Sequence, residues 1–563
     1  MAALSLPRAW LLLWAVLTAS PALAQTAEPP PNWPALHRLH DGGTLRLTAD
    51  SSFGSIDPQT NYLSKGAEVF YLLYDQLITT RRVNNDPGTT LTPDLAQAMP
   101  QLRDGGRTYI FTLRPNIHFW NGKLLDTADV VASFVRLFKV QNPNSGSWYN
   151  IIVGGDDCVA HPDTCTLKDG VVADPAARTV TFHLVHPDSE FLYKLSFPFA
   201  SILPADTPTH DVGTTAAPGT GAYRVDSYDP TRLLVLSRNP YFQEFNVQAQ
   251  PRGFVDRVEY HFGLQNEGEV TAILNNQFDW MYETKPLDRL TELGATYASR
   301  VHIGPLPEIY YMPLNLHLDP FDNQDARLAV AYAVDRRAIV KLFGGSHMAS
   351  PLCQQVPAGI PGYQPYCPFT RDPGPYWTAP DMARAHALMQ ASGKIGHKVT
   401  LITEDSANAK AMGEYLRSML QELGFQASQK TISSQIEFNY IQNTNNKVQA
   451  SLTDWTADYP TASDYLNVLF SCGNFHPGSD NSVNMSGMCD TAIDRRMDAA
   501  LVTALTDPAA ANAQWAGIDR DVTDTAASIT LMQVNELTLV STRLGNYTWS
   551  FLMHMMFGLV WVR

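Results

Sequence analysis

Positive charge is scarce in this chain: 40 Lys and Arg stand against 55 Asp and Glu, a formal net charge of -15. Such a balance excludes nucleic acid as a partner, because phosphates require a basic surface. Catalytic signatures are missing as well. No histidine is followed by glutamate, which removes the HExxH zinc-hydrolase motif, and neither GxSxG nor SxxK occurs. No GK[ST] is present, so the glycine-rich PGTGAYR at residues 218–224 reads as a turn entering a strand and not as a phosphate loop. Long apolar runs are few. The run over residues 549–562 is too short for a confident membrane span and contains His554, which makes it a buried core segment. There is no internal repeat, and none of the six cysteines has the tight spacing of a zinc knuckle. A hydrolase built from scattered Ser and His residues remains as the lesser alternative.

What is present is ordinary globular material, 45% hydrophobic and 17% charged, in a chain of 563 residues that is too long for one core. At the N-terminus, Arg8 precedes an apolar run over residues 9–17 and the small-residue site Ala22-Leu23-Ala24. That pattern predicts a secretory signal over residues 1–24, cleaved before Gln25, and a periplasmic or secreted protein. No cysteine lies near the cleavage site, so no lipid anchor is expected. Residues 25–41, with a proline-rich start, are expected to form a flexible leader. The cysteines fall as three close pairs, Cys158 with Cys165, Cys353 with Cys367 and Cys472 with Cys489. Exported proteins keep disulfides, and nearest-neighbour pairing staples three separate loops; other connectivities stay open.

Along the chain, TLRL at residues 44–47 starts a strand, and residues 69–78 carry apolar positions at helical spacing. Tyr109, Phe111 and Leu113 alternate as in a half-buried strand, and Asp126 with Asp129 predicts a capped helix start. Further strands are expected at residues 179–185, 232–237, 279–281 and 399–403, and helices over 268–278 and from Asp325 onward. A helix carrying Met412, Leu416 and Leu420 stops at Gly424, and strands near 528–533 and 537–541 close the chain.

One stretch stands out for function: SLTDWTADYPTASDYLNVLF at residues 451–470. Pro460 keeps Tyr459 out of helical geometry, so Asp458 falls on a loop between an apolar run and a helix. An acid between two aromatics suits a cationic group, because the rings exclude water and the carboxylate supplies the opposite charge. The same acid could instead cap the helix starting near Ala462. Both readings stay open on these residues alone.

Four segments in order, PDLAQAMPQLRDGGRTYIFTLRPNIHFWNGKLLDTADVVASF, GTGAYRVDSYDPTRLLVLSRNPYF, FDNQDARLAVAYAVDRRAIV and DWTADYPTASDYL, resemble the family five extracellular solute-binding proteins, the peptide and nickel receptors of ABC importers. The resemblance runs from about Gly42 to the C-terminal strands. It implies an α/β fold, a two-lobed periplasmic-binding-protein clamp with an extra subdomain inserted in the first lobe. Lobe I is expected over residues 42–308 with the subdomain at about 67–195, lobe II over 309–527, and a return to lobe I over 528–563. It also implies that Asp458 receives a peptide's α-ammonium, with Trp455, Tyr459 and Phe53 as aromatic walls. The chain departs from the family at Pro460-Thr461-Ala462-Ser463. The resemblance further implies a monomer with no catalytic residue, metal or cofactor, delivering di- or oligopeptides to an inner-membrane ABC permease. A receptor for nickel or another metal chelate is the alternative; its candidate ligands, His183 with His186 and His476 with Met485, read more simply as strand and loop residues.

Overall fold

Apolar alternation and the parallel pairing it permits set the first lobe. In the computed structural model, which describes residues 32–83, 89–282, 289–433, 436–479 and 482–563, the strand Thr44–Ala49 lies between Trp280–Met281 and Arg257–Phe262, parallel to both. Leu233–Arg238 and Tyr223–Asp229 continue this sheet antiparallel. Between its first strand and the rest, the chain leaves to build a second sheet, in the order Gln101–Arg103, Thr108–Thr112, Thr179–His183, Val171–Asp174. The helix Thr127–Lys139 covers it. Its Asp126–Asp129 capping box is present as expected, and Val130, Phe134 and Phe138 face the sheet's Phe111 and Phe182 in one core.

Two long strands carry the chain between lobes. Val301–Pro313 pairs antiparallel with Ser528–Leu539, from Val301 opposite Leu539 to Pro313 opposite Ser528. At the Leu539 end, a bridge from Trp280 to Val540 ties the ribbon to the first-lobe sheet. Toward the other end it takes on Ala349–Pro351 and Thr453–Thr456 as edge strands of the second lobe. A parallel sheet of Gln426–Ile432, Lys398–Glu404 and Ala450–Ser451 lies beyond, with the helix Ala407–Glu422 packed on it. The chain after that helix turns at Gly424, where a φ of +102° admits glycine readily.

Several expectations shift. The helix expected over 69–78 runs instead over Ser64–Leu73, and Ile78–Thr80 is a strand paired with Leu91–Pro93; the buried Tyr74 and Leu77 of the connection extended the helical pattern falsely. The two closing strands are one continuous strand, Ser528–Leu539. The expected signal segment and residues 25–31 lie outside the described residues. The rest of the expected leader is ordered: Trp33–His40 is a helix, started by the Asn32 side chain accepting from the Ala35 amide and by Pro34 in its first turn. Proline in a first helical turn promotes order, since its fixed φ suits the helix and its missing N–H has no partner to lose. His37 stacks on Phe254 at 4.3 Å and His40 on Trp561 at 4.0 Å between ring centroids, which docks the helix on lobe I.

All six cysteines pair with their sequence neighbours, with Cα–Cα distances of 4.6, 5.0 and 4.4 Å for Cys158–Cys165, Cys353–Cys367 and Cys472–Cys489. The last closes the longest loop, with a separation of 17. Replacing Cys472 and Cys489 together by serine is expected to lower unfolding free energy by about 3 kcal/mol through the entropy returned to the unfolded chain. Denaturant titration of the variant under oxidising conditions checks this, and a change below about 0.5 kcal/mol would contradict it. No helix of the described residues is long and apolar enough to cross a membrane.

Candidate functional site

The edge strand Thr453–Thr456 aligns Trp455 with Ile309 and Asp454 with Tyr310 on the crossing ribbon. After Thr456 the chain leaves the sheet, held by the Ala457 amide donating to the Pro307 carbonyl at 2.9 Å, and Pro460 precedes the helix Ser463–Phe470. Asp458 therefore sits on a loop, and it is not the cap of that helix: the N-cap is Ala462, without a side-chain cap bond. Asp464 organises the loop from the helix's first turn. One of its oxygens accepts from the Asp458 amide at 3.0 Å and from the Trp455 indole N–H at 3.2 Å. Asp464 is fully buried, and burial, then the nearby Asp458 charge, holds its carboxyl well above the usual range.

Across the cleft the Tyr62 hydroxyl donates to Asp458. Burial pushes the Asp458 carboxyl up to about 6, while the Tyr62 hydrogen bond favours the ionised form. Tyr459 is buried and reaches into the inserted subdomain, with its ring 6.0 Å from Trp148 and under the Lys194 ammonium at 5.9 Å. Beside it, Glu190 accepts from Thr461 Oγ1 at 3.0 Å and from the Ser463 hydroxyl. These two hydroxyls belong to residues 460–463, so this stretch supplies polar contacts between the lobes. Burial raises Glu190 to about 7 against the pull of Lys194, which itself pairs with Asp188 at 2.7 Å.

A cavity of about 480 Å³ opens between the lobes, lined among others by Tyr62, Glu437, Phe438, Asp454, Trp455 and Asp458. That volume is in the range of about 300–1,000 Å³ typical of small-ligand sites. A second chamber of about 790 Å³ shares Tyr62, Trp455, Asp458 and Tyr459 with the first, so these four form a wall between them. Of the residues singled out in the sequence, Asp458, Trp455 and Tyr459 meet here. Phe53 does not. At 2% exposure it packs against Phe70, Tyr228 and Phe262 in the lobe I core, because the loop that carries it folds back over that sheet. Its role as an aromatic wall is thereby corrected to a core role.

Tyr62, Glu190, Asp464 and Glu437 escaped sequence reasoning. Tyr62 and Glu190 lie hundreds of residues from the motif they touch, and no local pattern marks them. Asp464 alone carried a signal, an acid in the first turn of the expected helix. His183 lies 3.3 Å from the Thr108 hydroxyl on the neighbouring strand, and His476 is exposed beside the third disulfide.

Residues 90–477 match the model of the bacterial extracellular solute-binding proteins, family 5 (middle). The chain is 25% identical over 410 residues to the glutathione-binding protein GsiB of Salmonella paratyphi A, covering 71% of this chain and 73% of that protein. It is also 25% identical over 488 residues to the probable di/tripeptide-binding protein 5 of Pseudomonas aeruginosa, covering 80% and 85%. Among solved structures, the clavulanic acid biosynthesis oligopeptide binding protein 2 superposes with a TM-score of 0.84 at 23% identity over 93% of this chain and 96% of that one. The murein tripeptide binding protein MppA of Escherichia coli superposes at 0.71 with 20% identity, over 92% and 98%. These likenesses agree with the two-lobed α/β clamp seen here, and the match to the family model over most of the length makes this chain a member of the bacterial extracellular solute-binding proteins, family 5.

Proposed function

We infer that the protein is a periplasmic receptor that closes its lobes around a short peptide and presents it, unchanged, to an inner-membrane ABC importer. The observation that carries this reading is Asp458, a carboxylate set between aromatic rings on the wall of an interlobe cavity. A peptide's α-ammonium removed from water needs an opposite charge, and Asp458 offers one. The peptide backbone needs partners too, which the edge strand Thr453–Thr456 can supply by strand addition. Relatives named for glutathione, di- and tripeptides support the ligand class, and neither a metal chelate nor hydrolysis is favoured by them.

Incubation with a mixture of di- to pentapeptides, followed by native mass spectrometry, is expected to show one-to-one complexes with intact peptides. Small-angle scattering should record a smaller radius of gyration at saturation as the lobes close about the ribbon. New cleavage products would replace the receptor by a hydrolase, and the absence of any complex would remove the peptide reading.

A further inference from the structure

Acids outnumber bases in the cavity beside Asp458. Among the described residues, five acids line it, Glu68, Glu404, Glu437, Asp454 and Asp458, and no Lys or Arg does; the one basic side chain among them is His554, 3.4 Å from Glu68. Besides Asp458, three of the acids gather on lobe II. Glu404 ends the strand Lys398–Glu404, Glu437 starts the helix Glu437–Gln442, and Asp454 stands on the edge strand. Acidic clusters on surfaces are common and mean little, but Glu437 is not on the surface. It is 5% exposed, and its Oε1 has no hydrogen-bond partner among the described residues. A buried carboxylate oxygen left unpaired at a cavity wall costs the protein stability, and it is tolerated where a ligand group completes it.

We propose that Glu437, Asp454 and Glu404 form a pocket for the ammonium or guanidinium of a basic side chain, so that the peptides this receptor selects carry a Lys or Arg. The proposal rests on the peptide reading above and adds the side-chain class to it. Phe438 and Trp455 flank the acids, their rings 6.4 Å apart and inclined by 30°, and both line the cavity. Rings placed so can cover the aliphatic stem of Lys or stack with the guanidinium plane of Arg. A metal ion suits the site less well, since among the described residues no three His, Cys, Asp or Glu side chains converge closely enough to hold one. An organic cation spans the wider spacing. Burial, then repulsion from Asp454 and Glu404, pushes Glu437 up to about 8, and burial, then repulsion from Glu404, pushes Asp454 up to about 6. A cation entering the pocket relieves that repulsion.

Calorimetric titration with three alanine tripeptides, each carrying one Lys at the first, second or third position, tests the pocket against the same peptides with norleucine, which keeps the stem and removes the charge. At one position or more, the Lys peptide is expected to bind on the order of 30-fold or more tighter than its norleucine partner, as a closely placed buried charge pair allows. Arg at that position should show the same preference. Glu437→Gln should reduce the Lys-to-norleucine ratio by about tenfold or more, and Glu404→Gln should reduce it as well, which covers the case in which one variant fails to fold. If Lys and norleucine peptides bind alike at all three positions, or if the preference survives in both variants, the basic-side-chain pocket is overturned while the peptide receptor stands. If no tripeptide binds at all, both readings fall together.

Discussion

Asp458→Asn is expected to weaken binding of a free-amino peptide by about 2–5 kcal/mol, on the order of 30-fold to several thousand-fold, because it leaves an ammonium enclosed without its counter-charge. The substitution keeps the side chain's size and its ability to accept from Tyr62, so the loss reports charge and not shape. N-acetylation of the same peptide removes the ammonium. The acetylated peptide should bind the wild type poorly and be little affected by the substitution. Stability is expected to move the other way. The Asp458 carboxyl is raised to about 6 by burial, with Asp464 facing it from the following helix and Tyr62 from the opposite lobe. A carboxyl whose folded value exceeds its unfolded one contributes stability that is present below the unfolded value and lost as pH rises through about 6. At neutral pH the ionised Asp458 is therefore a cost to the empty protein, and the neutral Asn should leave melting unchanged or slightly higher. Affinity for the free-amino peptide should fall as pH drops below about 6, where the carboxyl protonates, while that for the acetylated peptide stays flat. Titration calorimetry over pH 5–8 on both proteins and both peptides decides the matter. If the Asn variant binds both peptides as the wild type does, the ammonium seat is wrong.

Arg136→Met is expected to cost about 3–5 kcal/mol of folding stability, the usual penalty for stranding one member of a buried ion pair. Arg136 lies on the helix Thr127–Lys139 and meets Asp57, which is fully buried, through both terminal nitrogens at 3.1 and 2.5 Å. The same guanidinium donates to Gln59 Oε1 at 2.8 Å and to the Pro208 and His210 carbonyls at 2.6 and 2.9 Å. One side chain thus ties the inserted subdomain to the polar loop after the first strand and to the segment before the glycine turn. Arg136→Met with Asp57→Asn should recover more than half of the loss, since the stranded charge is then gone. Denaturant titrations of the single and double variants measure both terms. A single-variant loss below about 1 kcal/mol would mean that water reaches the pair and that the subdomain is anchored elsewhere.

Local rules were sufficient wherever the partner lay within a turn or a short loop. The capping box of Asp126 and Asp129, the alternation of Tyr109 and Phe111, the stop at Gly424 and the pairing of neighbouring cysteines are all contained in short windows of sequence, and the structure shows each of them. Pro460 likewise placed Asp458 on a loop, because the constraint acts on adjacent residues. Short apolar runs were less decisive. Residues 69–78 read as one helix because Tyr74 and Leu77, which lie between the helix end at Leu73 and the strand from Ile78, fall in phase with the helix before them. Pro34 misled in the opposite sense, since the same residue that marks a loose linker also starts a helix when a docking surface such as Phe254 is at hand. What only the tertiary structure decided is the chemistry of the cleft. Tyr62 reaches Asp458 across 396 positions of sequence, Glu190 reaches Ser463 across 273, and Phe53 turns inward among rings from three other segments. Such meetings depend on how the ribbon of Val301–Pro313 and Ser528–Leu539 aligns the two lobes, and register over hundreds of residues leaves no trace in local spacing. The sequence by itself determined an acidic chain of the solute-binding type with a carboxylate among aromatics; the fold determined that four more acids share its cavity.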